Sequence, residues 1–171
     1  MYYLSLYVQG EPDEWVLIIR DNKLIESGVG LATIRGPFDT VARFPSKVQK
    51  IQFSAQQVTK EMQGIEVYCM MVWQVFREGD GPFKALKSLG DDLKSGNPRT
   101  ANQNLINIAS AIVRNQIANA TIEQVLTDRA FMRDAIRDEM GTLVKGWGVW
   151  LETVEITDVK ILSGSLFRNL Q

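Results

Sequence analysis

The stretch from Thr100 to Ile161 does most to limit what this chain can fold into. A broad apolar stripe of helical period (Leu105, Ile108, Ala109, Ile112, Val113, Ile117) predicts a helix over about Thr100 to Asn119. Thr121 follows as a cap, because its hydroxyl can accept a first-turn N–H that has no partner within the helix. Ile122, Val125 and Leu126 open a second stripe, continued by Ala130, Ala135, Ile136, Met140, Leu143 and Val144, which predicts one long helix. Gly146 and Gly148 stop it. Val149 to Ile161 is rich in β-branched residues and predicts a closing strand. Its apolar positions change parity twice: Val149 and Leu151, then Val154 and Ile156, then Val159 and Ile161. Since neighbouring strand side chains point to opposite faces, each change predicts a bulge or bend.

The first half of the chain punctuates differently. Trp15-Val-Leu-Ile-Ile-Arg reads as a buried strand, and Asp21-Asn-Lys as a hairpin turn, since Asn tolerates a positive φ. Leu24 to Ser27 is the return strand, and Gly28, Gly30 and Gly36-Pro37 break the next segment into short strands and bends. Gly28-Val-Gly-Leu-Ala lacks the third glycine and following helix of a phosphate-binding loop, so nucleotide binding is set aside. Val48 to Val58 alternates, with Ile51, Phe53 and Ala55 on one face and Gln52, Ser54 and Gln56 on the other. Glu61-Met-Gln-Gly64 turns the chain into Ile65 to Phe76, which is apolar on both faces and therefore belongs at the centre of a sheet or under cover on both sides. Gly81-Pro82 starts a first helix with Phe83, Leu86, Leu89 and Leu93 as its stripe, and Ser95-Gly-Asn-Pro98 ends it.

The residue inventory excludes much chemistry. With 171 residues the chain can bury a core without staples. It has no histidine and one cysteine, Cys69, which rules out Ser-His-Asp and Cys-His catalysis, His-based metal sites and an internal disulfide. Cys69 sits in an apolar strand and reads as a core residue. Asp91 and Asp92 are adjacent, so they do not face each other on a helix as an acid/base pair would. No catalytic, metal or cofactor-binding residue is assigned. Nineteen basic against 20 acidic residues, a net charge of −1, argue against nucleic-acid binding.

Two groups stand out as candidate contacts. Tyr2, Tyr3, Leu4, Leu6 and Tyr7 form either a first strand or a segment that dips into a membrane surface, where aromatic rings keep one end apolar and one end wet. Arg129, Arg133 and Arg137 recur every four residues and stack along one helix face. Arg137 has Asp134 within a turn, whereas Arg129 and Arg133 have no acidic residue three or four positions away. The row is either solvated or paired with acidic groups of a neighbouring subunit or of lipid headgroups. The amides of the preceding helix (Asn102, Gln103, Asn104, Asn107, Asn115, Gln116) read as a solvated or inter-subunit face. Leu166, Phe167 and Leu170 are spaced as the first turns of a further helix.

Four stretches carry a resemblance: Gly10-Glu-Pro-Asp-Glu-Trp-Val-Leu-Ile, Gln57-Val-Thr-Lys-Glu-Met-Gln-Gly-Ile-Glu-Val-Tyr, Thr121-Ile-Glu-Gln-Val-Leu-Thr-Asp-Arg and Trp147-Gly-Val-Trp-Leu-Glu-Thr-Val-Glu-Ile-Thr-Asp-Val. Together they resemble the SPFH domain, also called the prohibitin-homology or Band 7 domain, most closely its flotillin and flotillin-like branch. The resemblance implies an α+β fold: a β-rich half with a twisted antiparallel sheet over residues 1–78, then three helices and a returning strand over 79–162. Residues 163–171 would begin a coiled coil. It further implies a scaffold without catalysis or cofactors, peripheral on the cytoplasmic face of a membrane and its microdomains. Such a scaffold assembles into homo- or hetero-oligomeric rings or cages and holds membrane-protein clients. The alternatives it leaves are a regulatory module for a membrane protease or channel, and a cage component like the vault shoulder that uses no membrane.

Overall fold

The computed structural model describes residues 6–162. Tyr2, Tyr3, Leu4 and the run containing Leu166, Phe167 and Leu170 lie outside the described residues. The chain forms an α+β fold. Among the described residues seven strands come first: β1 (Tyr7–Gln9), β2 (Glu14–Arg20), β3 (Lys23–Val29), β4 (Ala32–Ile34), β5 (Thr40–Pro45), β6 (Gln49–Val58) and β7 (Gly64–Val75). Four helices follow, α1 (Gly81–Lys94), α2 (Arg99–Ala118), α3 (Ile122–Thr127) and α4 (Ala130–Lys145), and β8 (Val149–Ile161) closes the order.

The chain divides into two compact units, each taking elements from both halves of the sequence. The first comprises the chain up to Val48 together with Gln74–Ala101 and Lys145–Trp150. In it β2 is the central strand of a sheet ordered β3-β2-β5, and β1 pairs with β4 in a separate two-stranded ladder. Trp15, Val16, Leu17 and Ile18 are buried in succession, as expected for a central strand. The β2–β3 hairpin turns through Asp21 and Asn22 with φ of 49° and 59°, the two positive angles that match the twist of paired strands. Val8, Val16 and Ile18 form a core cluster, with Leu31 and Val41 packed against it.

Helix α1 starts at Gly81-Pro82 as expected and packs on β5 and β2, but its stripe is displaced. Its buried positions are Gly81, Pro82, Ala85 and Leu93, while Leu89 leaves helical geometry at φ −130°. The cause is close backbone approach. Gly148, at φ +71°, lies so near that a side chain there would run into the Gly81 carbonyl and the Ala85 amide. Small residues on both sides permit this packing, and bulk at Leu86 or Leu89 is left half-buried.

The second unit holds Gln49–Trp73, Asn102–Val144 and the chain from Leu151 onward. Its sheet runs β6-β7-β8, so β7 is central as the sequence predicts. Strand β7 buries Ile65, Val67, Cys69, Met71 and Trp73 on one face and leaves the other half-covered. Opposite it in register, Ile51 and Ala55 of β6 are buried. Trp73 donates its indole N–H to the Asn102 amide oxygen at 2.8 Å, so Asn102 serves the core and does not belong to a free amide face. Met132, Ile136, Met140 and Val144 of α4 are fully buried, each removal from water favouring the fold by roughly 1.5–3 kcal/mol.

The single helix expected from Thr121 to Val144 is two. Thr121 caps α3 as predicted, accepting the Gln124 amide at 3.2 Å, but α3 ends at Thr127 and Asp128 takes φ −121°, ψ 79°. The Thr127 hydroxyl donates to the Glu123 carbonyl at 2.6 Å, a back-bond that bends helices, and Asp128 has weak helix propensity. The apolar stripe crosses this break almost in phase, so its period concealed it. In β8 burial follows the expected positions only in part. Val149 is buried with Leu151 half-covered, Val154 and Ile156 are buried and Val159 is half-covered, but Ile161, expected on the covered face with Val159, is 56% exposed.

Candidate interaction surface

Cys69 is 2% exposed, and burial pushes its thiol up to about 12, so it stays protonated and inert at neutral pH. An open depression of about 390 Å³ lined by Gln52, Phe53, Ser54, Tyr68, Cys69 and Thr157 offers hydroxyls and amides. One of those hydroxyls, Thr157, is spent on the Tyr68 carbonyl at 3.1 Å. Among the described residues no group of three acidic or sulfur side chains could hold a metal, and no helix is long and apolar enough to cross a membrane.

What the molecule does present is a built turn with an aromatic tip. Asp39 follows Gly36, Pro37 and Phe38, and its side chain is 2% exposed. One carboxylate oxygen accepts the Arg20 Nε at 2.7 Å; the other accepts Arg20 Nη2 at 3.0 Å and the Gly36 amide at 2.7 Å. The Asp39 amide closes the turn on the Gly36 carbonyl at 3.2 Å, and Arg35 donates to the Asp39 carbonyl at 3.2 Å. The Arg20 guanidinium and the Gly36 amide hold the Asp39 carboxyl below the usual range, and the same pairing raises Arg20. Pro37 fixes one more dihedral. Fixed on this frame, Phe38 is 93% exposed.

The neighbouring ladder adds to it. Tyr7 and Ile34 are cross-strand partners, so they share a face, and they are 51% and 74% exposed. Their end of the ladder continues into the turn through the Arg35 amide, which donates to the Leu6 carbonyl at 2.8 Å. Of the five residues first singled out as membrane contacts, Leu6 and Tyr7 are described: Leu6 is half-buried and Tyr7 is exposed. Sequence reasoning missed Ile34 and Phe38. The only local signal was a Pro-Phe-Asp sequence in a turn, where the aromatic has no strand or helix period to place it.

The arginine row has partners other than those expected. Arg133 pairs with the adjacent Asp134 at 3.1 Å, the residue that the spacing had offered to Arg137. Arg129 donates to the Thr157 carbonyl at 3.4 Å. The other ion pairs among the described residues are Arg20–Asp39, Arg43–Glu14 and Lys84–Asp80, so Arg137 has none there. Arg129 and Arg137 are exposed and Arg133 half-buried, so the row lies at the surface.

Comparison with known proteins gives two findings. The family model for the SPFH domain / Band 7 family matches residues 8–170. A Band 7 family protein of Acanthamoeba polyphaga mimivirus is 23% identical over 133 residues, covering 77% of this chain. The chain spans about 40% of the length of that relative.

Proposed function

The chain belongs to the SPFH domain / Band 7 family, and from that premise we propose that it is a non-catalytic scaffold domain that assembles with neighbouring copies at a membrane surface. The observation that carries this reading is the family match over nearly the whole chain. The titratable groups agree with it. The resolved shifts that concern acidic or nucleophilic groups drive Asp39 and Glu66 towards the charged form and Cys69 towards the neutral thiol, so none of the three is poised to exchange a proton near pH 7. The surface agrees as well, since the exposed Arg129 and Arg137 are open to acidic groups of another copy and an exposed apolar turn to a membrane.

The resemblance of Thr121–Arg129 and Trp147–Val159 to flotillins favours a ring or cage on the cytoplasmic leaflet over a regulatory module for a membrane protease or channel. The deciding measurement is the mass of the full-length protein by light scattering, with and without liposomes. A particle of many copies is expected, and reversing Arg129 and Arg133 to glutamate is expected to shrink it. A compact monomer or dimer under both conditions would overturn the scaffold and favour a module that binds a membrane protease or channel. A large particle that ignores liposomes would favour a cage of the vault-shoulder kind.

A further inference from the structure

The Gly36–Asp39 turn holds a residue that does nothing for this unit's own stability. Phe38 is 93% exposed, yet the carboxylate, amide and guanidinium groups beneath it are all committed to keeping that turn in one shape. A rigid frame under a fully exposed aromatic is built for a surface that comes from outside. Resting on the membrane reading above, we propose that this turn is the docking tip. Phe38, together with Ile34 and Tyr7 of the ladder that leads into the turn, enters the boundary between headgroups and acyl chains of an anionic bilayer, while Arg35 contacts lipid phosphate.

Size and charge select this occupant. A stable contact with another protein buries about 800 Å² on each partner, whereas one aromatic side chain supplies about 150–250 Å². Phe38, Ile34 and a half-exposed Tyr7, the exposed apolar side chains of this turn and its adjoining ladder, are too few for such an interface. Insertion into a bilayer requires no matching surface, only an apolar tip with polar groups behind it. Tyr7 suits the same depth, with its ring in the apolar layer and its hydroxyl in water. At the base of the tip stand the Arg20 and Arg35 guanidiniums, and the carboxylates of Asp39 and Asp21 both act on Arg20. Asp39 is committed to Arg20. Arg35 forms no ion pair with any acidic side chain among the described residues, and its remaining N–H donors suit a phosphate oxygen.

The test is co-sedimentation of the full chain with phosphatidylcholine vesicles, with and without phosphatidylserine. Phe38→Ser is expected to weaken binding about tenfold or more while leaving the melting temperature unchanged, because the ring has no packing to lose. Arg35→Gln is expected to weaken binding about fivefold on the phosphatidylserine vesicles alone, an effect that added salt removes. Cys69 is buried and its thiol unreactive, so a fluorophore placed through Phe38→Cys reports that one site, and its emission is expected to shift to the blue on vesicles. Binding by the natural chain that Phe38→Ser leaves intact would overturn the docking tip and leave the membrane reading standing. No binding by the natural chain would overturn both. A fall in particle mass caused by Phe38→Ser without vesicles would make the tip a contact between copies and overturn the lipid assignment.

Discussion

At the Gly36–Asp39 turn a side-chain carboxylate does the holding; at the turn between β6 and β7 the backbone itself takes on strain. Both turns hold out a large apolar residue, Phe38 at 93% and Met62 at 76% exposure. Around Phe38 no non-glycine residue has a positive φ, and Asp39 accepts three bonds, two from Arg20 of β2 and one from the Gly36 amide of the turn itself. Met62 instead sits at φ +61°, a left-handed conformation that crowds a Cβ. There Glu61 accepts both the Thr59 hydroxyl at 3.1 Å and the Ile122 amide at 3.0 Å, and the Lys60 amide donates to the Ala120 carbonyl at 3.1 Å. The first turn is therefore closed on itself and conformationally relaxed. The second is strained and kept in place by what it does for the start of α3. An exposed apolar residue on a relaxed, internally fixed frame is offered to a partner; one on a strained turn can be a by-product of capping.

Several substitutions can break or sharpen this contrast. Asp39→Ala should have the largest effect, since it removes at one stroke the acceptor of the Gly36 amide and the buried carboxylate that pairs with the half-exposed Arg20. Its melting temperature is expected to fall further than that of any variant below, and an equal or smaller fall would put the two turns on the same footing. The same carboxylate sets a pH dependence. Its folded pKa is depressed, so its contribution is complete above the ordinary carboxylate value of about 4 and is lost as pH falls through the folded value. Melting temperatures of the natural chain and Asp39→Ala are therefore expected to converge in acid and stay apart at neutral pH.

Glu61→Ala comes next, at about 1 kcal/mol, the usual cost of losing a side-chain acceptor at a helix start. Amide exchange is expected to rise at Ile122, whose N–H loses its partner. Met62→Gly should stabilise the chain by about 0.5–1 kcal/mol, because relief of the left-handed strain outweighs the extra freedom of glycine in the unfolded chain. Destabilisation instead would show that the Met62 side chain is packed rather than merely exposed. Phe38→Ser is expected to stay within about 0.5 kcal/mol of the natural chain in chemical denaturation, as for a surface site away from caps and core.

Much of the fold was legible because its signals are local. Asp21-Asn22, Gly81-Pro82 and Thr121 each specify a turn or helix start through chemistry that reaches no further than three residues. The alternation of β6 marked a strand, and the two-faced apolar run of β7 placed a central one, before any contact was known. The break at Asp128 was hidden, because period records which face is apolar and not whether the backbone between two apolar segments remains helical. Asn102 was misplaced among free amides because its partner, Trp73, is distant in sequence. The same holds for the candidate surface. Leu6 and Tyr7 could be suspected from composition, but Phe38 could not, since exposure on a turn leaves no pattern.

By itself, then, the sequence determined the element types, the central strands, the absence of histidine chemistry and the resemblance that led to the family. These depend on residue identity and short spacing. Tertiary structure decided the pairing of Arg20 with Asp39, the close approach of Gly148 to α1, the true partner of Arg133 and the exposure of Phe38. The physical reason is common to most of them. A charge, an amide or a ring chooses its partner by distance in space, and where strands from separate parts of the chain meet, that distance is set only when the sheets have formed.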